Sequence, residues 1–562
     1  MGSVRFRRMV NRCIGAIGLT FFASPVWGAT AAREASPGAT EYSTVVAYFA
    51  VLLGIGYVAS KRMRDIKDFF AAGKRLGFLV VAFSARATGE SAWLLLGLTG
   101  MGAALGAKAF WVVGGEVLGV TCAWLVLSRR FKRLTDRYDA ITIPDYLESR
   151  FKDTTQLLRK VSAVALVIFV TIYVSAQIDA TGKAFESFLG WNYFVGIAVG
   201  FAVVMLYSVS GGFLAVAWSD VFQGALMFLG LVILPIVGIV VVGGFDVLWS
   251  GLDRIDTNLT AAAGEKGWSV EGVASILSLL LIGLGFLGSP QIFVRFLALR
   301  DEREISRGAF VAIVFTLLAD AGAVLIGMVG RVLLTDTGVD VEATLGPDGE
   351  NVLPMLVEDL MPAVIVGLYV AIVLSAIMST VDSLLVVASS AAIRDVYQKI
   401  MRPETSDAAL VTLCRRGTFV LGVLALVIAL IVALTAENRT IFWFVIFGWS
   451  GISATFCPTI ILSLFWRGMT RNGALAAMIA GFVSVPLFKF VAPLIPGVGE
   501  FFGALGELPP AFLISGVAGV LVSWREAKRA GKTSDEACHW NAEVREAVAA
   551  DLEMAAGRDS SA

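Results

Sequence analysis

The chain has 562 residues, of which 57% are hydrophobic and 16% are charged, and its formal net charge is zero. Soluble domains are nearer half apolar and a quarter charged, so this composition is typical of a protein whose solvent is lipid. The zero net charge excludes a global electrostatic argument for nucleic-acid binding. Five scattered cysteines and a single histidine, His539 in the polar tail, exclude a disulfide framework, a C-x-x-C zinc site and histidine catalysis within the membrane.

Residues 1–31 have the pattern of a secretory signal peptide. Four arginines in the first twelve residues precede a short apolar run at residues 13–23, and small residues follow at 28–31. This order of a basic, an apolar and a small-residue region is what signal peptidase recognises. An uncleaved extra helix is the alternative. Cleavage would place the mature N-terminus outside the cytoplasm.

Thirteen apolar runs, bounded by charges or by glycine and proline, predict membrane-spanning helices. They cover residues 42–60, 76–105, 110–127, 161–185, 193–209, 213–242, 273–294, 309–334, 360–393, 419–434, 441–466, 474–491 and 511–524. The sequence therefore predicts one all-α integral membrane domain over residues 42–530, followed by a polar tail at residues 531–562.

Basic residues concentrate in alternate loops. Residues 61–75 carry six lysines and arginines, residues 129–160 carry nine, and residues 295–307 carry Arg295, Arg300, Arg303 and Arg307. The intervening loops carry single basic residues, and residues 336–350 are acidic. The positive-inside rule then predicts an external N-terminus and, with an odd number of spans, a cytoplasmic C-terminus.

Two predicted spans are interrupted at mid-membrane. The second span contains the run RATGESAW at residues 86–93, and the seventh contains GLGFLGSP at residues 283–290. Breaks at matching places, five spans apart, favour two five-helix repeats of opposite topology, spans 2–6 and 7–11, with a central binding site. The alternative is that glycine and proline are simply frequent in membrane helices.

Several carboxylates fall within the apolar spans. A charge at mid-membrane costs at least roughly 2.5–3.5 kcal/mol on insertion scales, so each needs a partner or a wet cavity. Arg86 and Glu90 are four residues apart, the spacing of a helical ion pair, and Glu90 lies in the break itself, which favours a functional role. For Glu116, Asp179 and Asp320 we expect buried pairing or an interfacial position.

Asp382 belongs to an oxygen-rich run, MSTVDS at residues 378–383 of the ninth span. Hard cations take several oxygen ligands from side chains and carbonyl groups, so the run is a candidate ion site. Serine and threonine can instead bond to their own helix or join membrane helices, which is the structural alternative.

Five motifs resemble one transporter family over about residues 42–524. They are TIPDY at 142–146, TIY at 171–173, GGFLAVAWSD at 211–220, MST at 378–380 and NGALA at 472–476. Together they resemble the sodium:solute symporter family and, within it, the bacterial sodium/proline symporters. The resemblance implies a LeuT-like fold of inverted five-helix repeats, spans 2–6 and 7–11, with peripheral helices in the bacterial inner membrane.

The resemblance also implies where the ligands bind. A sodium site is expected between the broken second span and the ninth span. Its ligands would be the backbone carbonyl groups of Ala87, Glu90 and Ala376 and the hydroxyl groups of Ser379 and Thr380. The solute would lie near Ser91, Ala92, Trp93, Tyr173, Ile282 and Phe286.

The chain departs from the proline symporters at this expected site. Those proteins have an aspartate where this chain has Gly89, and the carboxylate here is one position later, at Glu90. An aromatic pair that flanks proline corresponds to Ile282 and Phe286, and Arg86 has no counterpart. Arg86, Glu90 and Asp382 are therefore candidate coupling residues, with Arg86 able to bind a solute carboxylate or to neutralise Glu90.

The first functional hypothesis is sodium-coupled uptake of proline or a related amino acid by alternating access, without an organic cofactor or an enzymatic activity. The alternatives are proton coupling through Glu90 or a different organic solute. A transporter-like membrane sensor is a third hypothesis, with no soluble domain beyond the short tail to support it. An intramembrane enzyme would need a nucleophile and a base, and the spans offer no such pair.

Overall fold

The structure is a computed structural model that describes residues 38–62, 66–436 and 440–529. The predicted signal peptide at 1–31 and the tail at 531–562 lie outside the described residues. The described chain is helical, with an isolated bridge between Leu76 and Leu299 and no strand. The α-helices are α1 (Ala39–Arg62), α2 (Ile66–Ala71), α3 (Phe78–Ala92), α4 (Thr99–Leu105), α5 (Phe110–Cys122), α6 (Ser128–Arg137), α7 (Ile143–Phe151), α8 (Leu157–Leu189), α9 (Tyr193–Val242), α10 (Phe245–Ile255), α11 (Val270–Leu280), α12 (Pro290–Ala298), α13 (Ile305–Leu334), α14 (Val341–Leu345), α15 (Val352–Leu360), α16 (Ala363–Ser389), α17 (Asp407–Thr435), α18 (Ile441–Phe465), α19 (Arg471–Pro486), α20 (Gly499–Leu505) and α21 (Leu508–Arg529).

Several helices continue into π or 3₁₀ turns. The π segments are Trp93–Leu98 after α3, Ala123–Leu127 after α5, Ser390–Met401 after α16 and Leu487–Val491 after α19. The 3₁₀ segments are Ala72–Lys74, Gly106–Ala109, Thr257–Leu259, Leu281–Leu287, Glu302–Glu304, Pro347–Gly349 and Ala492–Leu494. Because π turns inside α-helices recur at functional sites, the segment that follows α3 is of particular interest.

Eleven helical stretches among the described residues are long and apolar enough to cross a membrane. Two of the thirteen predicted spans account for the difference. The predicted second and third spans lie in one run of consecutive helical segments, Phe78–Arg137, whose backbone is non-helical at Ser91 and Gly106. The helix over the predicted fifth span, Tyr193–Val209, is shorter than the eleven long stretches. The count of thirteen therefore stays a prediction, whereas the all-α, multi-pass membrane architecture is confirmed.

Local sequence signals explain several helix starts. The Thr142 hydroxyl accepts the Asp145 amide 3.1 Å away, and Pro144 stands in the first turn of α7. The Ser269 hydroxyl accepts the Gly272 amide 3.0 Å away at the start of α11. Side-chain acceptors at this position satisfy amide groups that the first helical turn leaves unbonded.

Burial separates a central group of helices from a peripheral one. The most hydrophobic stretches of α16 and α18 are each 83% buried, whereas those of α1, α17 and α21 are each 28% buried and expose large apolar side chains. Helix α16 packs against α1, α3, α8 and α9, and α3 also packs against α13. The interrupted helix α3 is thus packed against central helices, and the peripheral helices expose apolar faces that suit lipid.

Candidate functional site

The second span breaks at Ser91. Its backbone has φ 46° and ψ −169°, a left-handed region that non-glycine residues rarely occupy, and the chain continues as the π segment Trp93–Leu98. The Ala92 amide donates to the side-chain oxygen of Gln177 on α8 at 3.0 Å, and the Glu90 carbonyl accepts the Trp93 amide. A glutamine side chain therefore supplies the hydrogen bond that the interrupted helix cannot, as buried backbone requires.

The seventh span breaks over a longer stretch. Helix α11 ends at Leu280, the segment Leu281–Leu287 is 3₁₀-helical, and α12 begins at Pro290. Helix α18 satisfies carbonyl groups in this stretch, since the Trp449 indole donates to the Ile282 carbonyl at 3.1 Å and the Cys457 thiol to that of Gly285 at 3.4 Å. The predicted pair of interrupted helices, one from each half of the chain, is confirmed.

The expected sodium ligands of α3 and α16 lie together. The Ser379 hydroxyl is 2.9 Å from the Ala87 carbonyl oxygen, and the Thr380 hydroxyl is 3.1 Å from the carbonyl oxygens of both Thr88 and Ala376. All of these residues are buried. Several oxygen atoms of this kind suit a hard cation. The Glu90 carbonyl is engaged by the Trp93 amide rather than by α16.

The expected solute residues surround the same breaks. The Tyr173 hydroxyl is 3.4 Å from the Ser91 hydroxyl, and the Phe286 ring centroid lies 5.0 Å from that of Trp449. Ile282 meets the Trp449 indole through its carbonyl oxygen. Ala92 is held by Gln177, as described above.

Trp93 has partners of its own. Its indole donates to the Gly89 carbonyl at 3.1 Å, and its ring packs edge-on against Phe442, with centroids 6.1 Å apart. These interactions tie the π segment to the end of α3 and to the start of α18.

Arg86 and Glu90 form the predicted ion pair, and two further carboxylates join them. The Arg86 guanidinium contacts Glu90 and lies 3.3 Å from the Glu116 carboxylate on α5. One carboxylate oxygen from each of Glu90, Glu116 and Asp320 lies within 4.8 Å of the other two. The guanidinium carbon is also 4.9 Å from the Phe286 ring centroid, so this cluster borders the expected solute site.

Asp382 belongs to a different polar cluster. Its carboxylate accepts a hydrogen bond from Ser383 at 3.3 Å, and Tyr207 is a further partner. The Ser383 hydroxyl contacts Arg295, whose guanidinium also lies 3.2 Å from Asp220 and 2.7 Å from the Thr88 hydroxyl. Asp382 is therefore next to the α3–α16 oxygen atoms but outside the Arg86 cluster.

The sequence expectations need one correction. The sequence pattern predicts a loop position for Arg295, but Arg295 is fully buried in α12 and paired with Asp220. A guanidinium at that depth must be neutralised, and Asp220 in the GGFLAVAWSD motif is its partner. The sequence does not predict the roles of Gln177 and Trp449, because a lone glutamine or tryptophan in an apolar run carries no signal of its partner.

Glu350 lies outside the spans and joins α8 to the start of α18. Its carboxylate accepts the backbone amides of Ile441 and Phe442 at the start of α18, the latter at 3.3 Å, and pairs with Lys183 of α8 at 3.1 Å. Burial raises the pKa of Glu350, and the Lys183 ammonium opposes that rise. Since Phe442 packs on Trp93, this carboxylate supports the start of the π segment indirectly.

Comparison with known proteins agrees with this architecture. The model of the sodium:solute symporter family matches residues 69–481. The osmoregulated proline transporter OpuE of Bacillus subtilis (strain 168) is 36% identical over 488 residues, covering 87% of this chain and 95% of that protein. The sodium/proline symporter of Escherichia coli (strain K12) is 33% identical, covering 85% of this chain and 92% of that protein.

A solved structure shows the same fold. A Na⁺-coupled sialic acid symporter, solved in a substrate-bound outward-open state, superimposes with a TM-score of 0.72 at 19% identity, covering 86% of this chain and 97% of that one. The relatives are transporters, so the chain is a membrane transporter and not an enzyme. Its family match, its motifs and its paired helix breaks lead to one conclusion: the chain belongs to the sodium:solute symporter family.

Proposed function

We propose that this chain is a symporter that imports proline or a related amino acid together with Na⁺. The observation that carries the proposal is the contact between the broken second span and the hydroxyl groups of α16. Ser379 and Thr380 face the carbonyl oxygens of Ala87 and Thr88, next to the break at Ser91. Such a set of oxygen atoms suits Na⁺, and the adjacent backbone suits a zwitterionic solute.

The proposed mechanism is alternating access. Na⁺ bound between α3 and α16 would replace the hydrogen bonds that now join them and would fix the end of α3. That end carries Ser91, Ala92 and Trp93, so an ordered α3 presents the solute site in one conformation. Coupling requires that each ligand raise the affinity of the other by the same factor.

The deciding experiment is uptake of labelled proline by the full-length protein in proteoliposomes. An inward Na⁺ gradient should drive accumulation of proline. Protein-free liposomes should not accumulate proline, and neither should proteoliposomes with equal Na⁺ on both sides. A competition series of unlabelled amino acids then defines the solute. Uptake that ignores the Na⁺ gradient and follows an imposed pH gradient would reject Na⁺ coupling and favour proton coupling.

A different organic solute is the second candidate. The Arg86 guanidinium beside Phe286 favours a different solute. This cation borders the expected solute site, and the proline symporters have no counterpart of Arg86. Failure of proline to compete, with Na⁺-driven uptake of another solute, would select this candidate. In either case we propose the bacterial inner membrane as the location, with the N-terminus outside and the C-terminus in the cytoplasm.

A further inference from the structure

Three carboxylates from three helices converge in the middle of the protein. Glu90 comes from α3, Glu116 from α5 and Asp320 from α13, and one oxygen of each lies within 4.8 Å of the others. Glu90 and Asp320 are completely buried, and Glu116 is 1% exposed. The cluster lies where α3 packs against α13, whereas Ser379 and Thr380 meet α3 from α16.

The charges within this cluster do not balance. Among the residues that the structure describes, Arg86 is the cation that contacts it, through ion pairs with Glu90 and Glu116. Three carboxylates and one guanidinium leave two surplus negative charges in a low-dielectric environment, where unpaired charge is costly. These two charges must be neutralised in the folded protein, either by protons or by a bound cation.

Unused hydrogen-bonding atoms point to the same need. Both carboxylate oxygens of Asp320 lack a hydrogen-bond partner among the described residues, and so do Nε and Nη1 of Arg86. Buried polar atoms are nearly always bonded, so unpartnered oxygens at such depth indicate a ligand.

The spacing of the oxygens fits a metal ion. Oxygen ligands lie about 2.3–2.6 Å from a Ca²⁺-sized hard cation, so two ligands on opposite sides of the ion are about 5 Å apart. The carboxylate oxygens of this cluster fall within that span. The resident guanidinium favours a monovalent ion over a divalent one, because the repulsion it exerts grows with the charge of the ion.

We propose that Glu90, Glu116 and Asp320 form a binding site for a second co-transported Na⁺, separate from the site between α3 and α16. The proposal rests on the Na⁺ coupling proposed above. The ion shares Glu90 and Glu116 with Arg86, and Arg86 lies over Phe286 at the solute site. Binding of the ion therefore weakens the hold of these carboxylates on the guanidinium and changes the electrostatic environment of the solute.

The test counts Na⁺ ions in the full-length reconstituted protein. Binding of radioactive Na⁺ and the Na⁺-to-solute uptake ratio are measured for wild type, Asp320→Asn, Glu116→Gln and Thr380→Ala. Asp179→Asn is the matched control, because Asp179 is also buried but hydrogen-bonds Tyr193 outside the cluster. Size-exclusion profiles and melting temperatures check that each variant is folded.

We expect Asp320→Asn and Glu116→Gln each to bind one Na⁺ fewer than wild type, while Asp179→Asn keeps the wild-type number. Thr380→Ala should weaken the other Na⁺ instead. A wild type that binds a single Na⁺ would overturn the proposal, and that result does not depend on any variant folding. The folded cluster variants could instead bind the wild-type number of Na⁺ ions and show a changed response to a pH gradient. That result would assign the cluster to proton binding and would also overturn the proposal. Na⁺-independent uptake by wild type would instead refute the proposed function itself.

Discussion

Replacing Thr380 with alanine removes one of the two hydroxyl groups that α16 presents to the carbonyl groups of α3. In the structure this hydroxyl is 3.1 Å from the Thr88 carbonyl oxygen, and we expect that contact to weaken when both oxygen atoms turn toward Na⁺. A hydrogen bond or ligand to a charged group contributes about 1.5–3 kcal/mol and a neutral hydrogen bond about 0.5–1.5 kcal/mol. The net loss is therefore about 1–2 kcal/mol, or about 5- to 30-fold in the apparent Na⁺ constant, since 1.4 kcal/mol is tenfold.

The assay is the Na⁺ dependence of proline uptake in proteoliposomes. Thr380→Ser keeps a hydroxyl and should restore most of the Na⁺ affinity. Thr135→Ala is the matched control, because the buried Thr135 hydroxyl bonds only to carbonyl groups of its own helix. An unchanged Na⁺ constant in a folded, active Thr380→Ala protein would refute this placement of the ion.

Three further predictions concern the helix breaks and the contact that supports them. Gly89→Asp should lower stability by about 1–3 kcal/mol, because a Cβ at position 89 lies 2.9 Å from a Phe286 ring carbon; the melting temperature in detergent measures it. Gln177→Leu should cost about 1–3 kcal/mol and slow uptake, because it leaves the buried Ala92 amide without an acceptor. For Glu350, the raised pKa means that the packed state binds a proton more tightly than an exposed carboxylate does. Its stabilising contribution is therefore greatest at acidic pH and declines as the pH rises through that raised pKa, so the melting temperature of wild type relative to Glu350→Gln should fall from about pH 4.5 to pH 7.

Matched variants separate these causes from general damage. Adding Phe286→Ala should recover part of the stability that Gly89→Asp loses, and a single variant as stable as wild type would contradict the steric argument. Gln177→Glu keeps the acceptor, so its loss should be smaller than that of Gln177→Leu; equal losses would show that the hydrogen bond is unimportant. Asp348→Asn changes a nearby acidic residue and should keep the wild-type dependence of melting temperature on pH. If Glu350→Gln also kept that dependence, Glu350 would be excluded as its source.

The sequence predicts the broken helices because their causes are local. Glycine and proline in RATGESAW and GLGFLGSP signal interruptions. The structure breaks the second span inside its run, at Ser91, and the seventh over a stretch that begins at Leu281, just before its run. The Arg86–Glu90 pair is equally local, since a four-residue spacing places both side chains on one face of α3. Even so, the residue with non-helical backbone in the first run is Ser91 and not Gly89. The contact that accompanies this break comes from Gln177 on another helix, which the local sequence does not reveal.

Interactions between distant segments are what the sequence does not predict. Glu116 and Asp320 join Glu90 only when α5 and α13 pack around α3, and nothing in their own spans marks that meeting. Arg295 shows the same limit in reverse. Arg295 precedes several arginines of a loop in the sequence, so it fits the positive-inside pattern. In the structure it pairs with Asp220 on α9 and lies within the protein. Pairing of charges across helices depends on tertiary packing rather than on local composition.

The central claim is that two interrupted helices build one shared site for ion and solute at mid-membrane. The most direct measurement is an experimental structure of the full-length protein in lipid, determined with and without Na⁺ and proline. We expect Na⁺-dependent density between the Ala87 carbonyl and the Ser379 and Thr380 hydroxyls, and solute density beside Ser91 and Phe286. Continuous helices through residues 86–93 and 283–290, or ion and solute bound elsewhere, would contradict the account.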